Sequence, residues 1–164
     1  MVCLNKREVI LQHHKQYMEF VNELSKLDET VLRQSMQQGK WSIIEVVGHL
    51  QFWDQFVVEK RLPFIFSDED MPNSPKVEDV NEDAALRARN NPPHLTFEHF
   101  VSTRMQLFNL LTNLSEEVWQ HQICLNQKTI SFYEYVQGLL EHDLHHKRVM
   151  EEFLGGCSKL NTGI

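Results

Sequence analysis

All five prolines of this chain fall between Pro63 and Pro93. Proline lacks a backbone N–H and clashes with the turn before it, so it ends or kinks a helix. Confining it to one window favours long regular elements on either side. Glycine is also scarce, at 6 residues, which argues against a turn-rich β architecture.

Four segments outside the window carry apolar residues at 3–4 spacing, the period of a helix with one buried face. The first spans 5–27, with Ile10, Leu11, Tyr17, Met18, Val21 and Leu24 on its stripe. The second spans 43–62 and opens with a capping box, Ser42 with Glu45, flanked by a hydrophobic staple of Trp41 and Val46. The third spans 96–114, with Thr96 as N-cap and Val101, Met105, Leu107, Phe108, Leu111 and Leu114 as its buried stripe. A second capping box, Ser131 with Glu134, and a staple of Ile130 and Tyr135 open the fourth, which runs to 154 and stops at Gly155-Gly156.

Shorter pieces fill the gaps. DETVLRQSM (28–36) adds a helical turn or two before Gly39, and SEEVWQ (115–120) reads as a short capped turn. ICLNQKTI (123–130) has the composition to pair locally, but no other strand alternation appears. The segment 63–95 is an acidic connection with one helical stretch at 77–89. A connection this long in a compact domain is usually functional or mobile. The expected fold is all-α: a four-helix bundle with one long crossover connection. The 164 residues suit a single domain, 1–164, whose core buries roughly 70% of the unfolded chain's surface.

Charge and cysteine usage narrow the functional classes. A formal charge of −7 and no dense run of Lys and Arg argue against nucleic-acid binding. The longest apolar runs, such as LPFIF, are far short of a membrane span. Cys3, Cys124 and Cys157 are odd in number, far apart and outside any CxxC spacing, so a reducing compartment is expected. The N-terminus turns charged too soon for a secretory signal, and the protein is read as cytoplasmic.

EHDLHHKRVM (141–150) is where chemistry enters. Steps of 3 and 4 from Leu139 reach His142, His146, Val149 and Phe153, so both histidines lie on the apolar stripe. Residues at i and i+4 share one helix face, the spacing that lets two imidazoles hold one metal ion in HExxH enzymes. His145 is rotated by about 100° from His146 and falls off the stripe's centre. On the second segment the same walk gives Val46, His49, Trp53, Phe56 and Lys60, and His49 points inward. His49, His142 and His146 are therefore the candidate metal ligands, converging in a bundle core. Three histidines with a vacant position match a catalytic site; structural zinc sites close with four ligands.

Other residues have plainer explanations. His14 lies on the apolar side of the first segment and reads as a core or site-edge residue. His13, His94, His99 and His121 have no spacing that singles them out. Glu45 is explained by its cap. Asp143 is expected at the surface, with orientation of a ligand imidazole as the alternative. Trp53 and Phe56 read as core residues near a pocket.

WSIIEVVGHLQFWD, TFEHFVSTRMQLFNLLTNLSEEVW and SFYEYVQGLLEHDLHHKR together resemble the DinB-like (damage-inducible) superfamily. The W-S-x-x-E-x-x-x-H entry to the second helix and the H-x-x-x-H of the last carry the resemblance. It implies an up-down-down-up bundle and a divalent metal, nickel or zinc, on His49, His142 and His146. It also implies a homodimer, and relatives that are bacillithiol- or mycothiol-dependent transferases and isomerases. Three readings follow. One is a metal-dependent transferase joining a small thiol to an electrophile, without a protein nucleophile. The second is a hydrolase using metal-activated water, with Glu45 or Asp143 as base. The third is a non-enzymatic metal-binding stress-response module, for which His14 or His145 would close the coordination sphere.

Overall fold

The computed structural model describes residues 5–65, 67 and 71–161. Four long helices form the bundle: α1 (Lys6–Leu24), α3 (Ile43–Lys60), α5 (Pro93–Asn113) and α7 (Phe132–Asn161). Between them lie α2 (Glu29–Arg33), α4 (Val77–Asn90), α6 (Glu116–Gln120), a 3-10 turn at Leu62–Phe64 and a β-hairpin of β1 (Gln122–Leu125) and β2 (Lys128–Ser131). In the bundle, α5 packs against α1 and α3, and α7 packs against the same two helices.

The interior is two apolar clusters separated by a polar layer. One cluster holds Tyr17, Val21, Ile43, Leu50, Phe100 and Met150. The other holds Ile10, Val57, Leu107, Phe132 and Leu140. Each long helix crosses from one to the other through a single buried polar residue: His14, Asp54, Arg104 and Asp143. The order of crossing gives the topology. α1 and α7 run from the second cluster to the first, while α3 and α5 run from the first to the second. The bundle is thus up-down-down-up. Parallel neighbours α3 and α5 cannot be joined by a tight turn, which is why the long connection exists.

α4 is the part of that connection that docks on the bundle. It presents Ala84, Ala85 and Ala88 as buried residues. Gly48 of α3 faces them so closely that an added Cβ would lie 2.8 Å from Ala88 Cβ. With α4 covering it, α3 is buried continuously from Ile43 to Leu50 rather than along one stripe.

Several expectations are corrected. α1 ends at Leu24, not 27, where Ser25 caps it. α5 begins at Pro93 rather than Thr96, because proline at the first helical position needs no N–H partner and has its φ preset; Thr96 is a buried interior residue. Its buried stripe is Phe97, Phe100, Arg104, Leu107 and Leu111, and Met105 is 44% exposed. α7 passes through Gly155 and Gly156 to Asn161. Glycine stops a helix when it supplies the left-handed cap conformation, and among described glycines only Gly39 has positive φ. A hairpin of β1 and β2 interrupts the run of helices between α6 and α7. Asn126 and Gln127 (φ 50° and 64°) make its two-residue turn, both in the left-handed region that such a tight hairpin requires. Cys124 and Cys157 are free, and Cys3 lies outside the described residues.

Candidate metal centre

Two capping boxes set the phase of the helices that carry the histidines. Ser42 N–H and Oγ–H both donate to Glu45 Oε2, at 2.8 and 2.6 Å, and start α3 at Ile43. Ser131 N–H donates to Glu134 Oε2 at 2.7 Å, and Glu134 N–H donates back to Ser131 Oγ at 3.1 Å. With both starts fixed, His49 on α3 and His142 and His146 on α7 turn toward one another. Their ligand atoms all lie within 4.8 Å of each other. His142 Nε2 is 3.2 Å from His49 Nε2 and 3.1 Å from His146 Nε2. Nitrogens bound tetrahedrally at about 2.1 Å from one ion would sit roughly 3.4 Å apart.

The tautomer of His49 follows from a residue in the connection. Trp53 Nε1, which can only donate, lies 2.9 Å from Asn81 Oδ1. That contact identifies the atom as the amide oxygen. His49 Nδ1 is 3.0 Å from the same oxygen, so Nδ1 carries the proton and donates. Nε2 is left with a lone pair directed at His142. A single proton on His142 Nε2 cannot serve both of its imidazole neighbours. A cation among the three nitrogens satisfies all of them, and the donor set therefore fits a divalent metal.

The electrostatics favour the neutral, ligating form. Burial, reinforced by His142, lowers the His49 pKa to about 4, against the opposing bond to Asn81. Burial, then the neighbouring His142 and His49, takes His146 to about 3. His142 is lowered too, chiefly by burial. Neutral imidazole is the form that binds metal. Trp41, the staple residue ahead of α3, lies against His49 with the two rings tilted by 48° and their centroids 5.0 Å apart. Beside it a cavity of about 490 Å³ is walled by Trp41, Val46, His146 and Val149.

Asp143 is not at the surface but 2% exposed, and it does not orient a ligand imidazole. It accepts from Arg104 Nη1 at 2.6 Å and Nη2 at 3.0 Å, and pairs with His13 Nε2 at 2.9 Å. Arg104 also donates to Asp54 at 2.5 and 3.1 Å. Burial works against the Asp143 carboxylate, but the Arg104 charge and the His13 and Arg104 hydrogen bonds outweigh it and hold the pKa well below the usual range. Asp54, where burial prevails over Arg104, is raised to about 6. His14 is buried as expected, with Nδ1 3.4 Å from Arg104 Nη1 and Nε2 without a partner among the described residues. Glu45 is committed twice, to Ser42 and to Arg89 Nε at 2.8 Å. His145 is exposed, as are His94, His99 and His121.

Sequence reasoning missed Asn81, Arg104 and His13. Asn81 sits among acidic residues of α4, and nothing in the sequence sets the register of that helix against His49. Arg104 occupied a 3–4 position on the third segment, but its charge removed it from an apolar count. Its pairing with two aspartates becomes visible only in three dimensions.

A model of the family described as the DinB superfamily matches residues 12–150. No curated protein matches the sequence. Among solved structures, the chain is similar to YfiT from Bacillus subtilis, described as a probable metal-dependent hydrolase with an unusual four-helix bundle topology. The TM-score is 0.79 at 13% identity, over 96% of this chain and 91% of that one. It is also similar to a mycothiol-dependent maleylpyruvate isomerase, with TM-score 0.68 and 14% identity over 85% of this chain. The match spans 59% of the isomerase's length. At these identities the likeness is one of fold. The family assignment rests on the sequence match over most of the chain: this protein belongs to the DinB superfamily.

Proposed function

We propose that His49, His142 and His146 hold one divalent cation, zinc or nickel, and that the protein is a metal-dependent transferase acting with a small thiol on an electrophile. The observation that carries this reading is the meeting of three imidazole Nε2 atoms from α3 and α7, with a cavity along His146. A divalent cation held there would lower the pKa of a thiol or a water molecule brought to it. The chain's own part is to keep three imidazoles neutral, to fix His49 through Asn81, and to leave one side accessible. No fourth His, Cys, Asp or Glu joins the group among the described residues, which favours an open site over a purely structural one.

A metal-activated hydrolase is the second reading, favoured by the near full-length likeness to YfiT and its description. It needs a general base beside the cation. Both carboxylates offered for that role are occupied: Asp143 by Arg104 and His13, and Glu45 by Ser42 and Arg89. Transfer from a thiol needs no such base, and this difference ranks the two. The free Cys124 and Cys157 agree with a cytoplasmic setting in which a small thiol is available.

The test is elemental analysis of protein purified without a histidine tag, followed by electrophile consumption with and without added thiol. The expected result is one metal ion per chain, lost in His146→Ala, and turnover that depends on thiol. Turnover without thiol would instead establish the hydrolase, and metal-free wild-type protein would remove both readings.

A further inference from the structure

The cavity beside the three histidines is basic and apolar, although the chain as a whole is acidic. The chain carries 23 acidic residues against 16 Lys and Arg. Yet the cavity, of about 490 Å³, is lined by Lys40, His145 and His146 with apolar Met36, Trp41 and Val149, and no carboxylate lines it. Lys26 and Lys76 are paired with Glu23 and Asp79. Lys147, also on α7, pairs with Glu151. Lys40 has no side-chain hydrogen bond or ion pair among the described residues.

The backbone under Lys40 is nonetheless fixed. Gly39 takes a positive φ of 72°, Lys40 N–H donates to Gln37 O at 2.9 Å, and Ser35 Oγ–H donates to Lys40 O at 2.5 Å. Met36 N–H donates to Trp41 O at 3.2 Å and closes the loop onto the start of α3. The backbone of Lys40 is held in place while its ammonium, on the lining of the cavity, is open to an anion there. His145, exposed on α7, stands beside His146 with ring centroids 5.3 Å apart. The apolar wall of Trp41, Val46 and Val149 suits the carbon body of a small ligand between Lys40 and the histidine centre.

We propose that this cavity is a subsite for the carboxylate of a small organic acid, with Lys40 as the specificity-determining residue. The proposal rests on the reading of the three histidines as a metal centre, and it narrows the small molecule to one carrying a carboxylate opposite its reacting end. An exposed ion pair contributes modestly, so the expected selectivity is about fivefold.

The test is calorimetric titration of the zinc-loaded protein with 3-mercaptopropionate, 3-mercaptopropan-1-ol and glutarate. The acid thiol should bind about fivefold more tightly than the alcohol. Lys40→Met should abolish the preference with zinc content unchanged, and Lys40→Arg should keep it. Equal affinities in the wild type, or a preference that survives Lys40→Met, would overturn the subsite. If neither thiol binds, the thiol reading of the centre fails by itself and glutarate decides the subsite. Glutarate binding weakened by Lys40→Met supports it, and absent or Lys40-independent binding overturns it.

Discussion

Asn81 Oδ1 lies 3.0 Å from His49 Nδ1, joining the acidic connection to the first of the three converging imidazoles. A partner of this kind sets ring orientation and tautomer, and its loss typically costs 10–100-fold in metal affinity. Asn81→Ala should therefore weaken zinc binding by about that factor in a chelator competition, with helical circular dichroism unchanged. Trp53→Phe, which frees the amide but leaves it in place, should have a smaller effect.

Gly48→Ala sets two effects against each other. Alanine is favoured over glycine in a helix interior by about 1 kcal/mol. Here the new Cβ would meet Ala88 Cβ at 2.8 Å and Ala84 O at 3.3 Å, and neither can swing aside as a flexible side chain would. Overpacking of this kind costs about 1–3 kcal/mol. The net expectation is lower stability in urea, together with weaker metal binding as α4 moves Asn81 away from His49.

Arg104→Met should be among the most damaging single substitutions. It leaves Asp54 and Asp143 buried with their shared cation removed. Breaking a buried ion pair from one side costs about 3–5 kcal/mol. Asp54→Asn should cost much less, since Asp54 already has a pKa near 6 and is the weaker anion of the pair. Combining Arg104→Met with Asp143→Asn should recover part of the loss. Urea midpoints at pH 7 measure all three.

Acid sensitivity follows from His14, whose pKa falls from 6.5 to about 3, first through burial and then through Arg104. The folded protein holds this imidazole neutral, while the unfolded chain protonates it near 6.5. Its contribution is therefore intact above pH 6.5 and is lost progressively down to about pH 3. One such group gives a slope of at most about 1.4 kcal/mol per pH unit. Metal-free His14→Gln should show a shallower decline of unfolding free energy over that window than metal-free wild type.

The parts of the fold legible in the sequence were those set by local rules. Both capping boxes start their helices where Ser42 and Ser131 place them, and periodicity turned His49, His142 and His146 toward one another because the phase of each helix was known from its start. Long-range chemistry was not legible in that way. Asp143 looked solvent-exposed because its partner Arg104 is 39 residues away on another helix. Gly155-Gly156 resembled a stop because composition cannot distinguish a helical glycine from a left-handed one. The Asn126-Gln127 turn lacked the glycine that usually marks a tight hairpin.

The docking of α4 on Gly48 has a practical consequence for anyone re-engineering the surface of this protein. Surface connections are normally the easiest segments to trim, lengthen or exchange between homologues. In this molecule a graft of the 63–95 stretch would also replace the amide that holds an imidazole in register. Libraries built there should keep Asn81 and the alanines beneath it constant, and vary positions 36–38 and 40 on the other side instead.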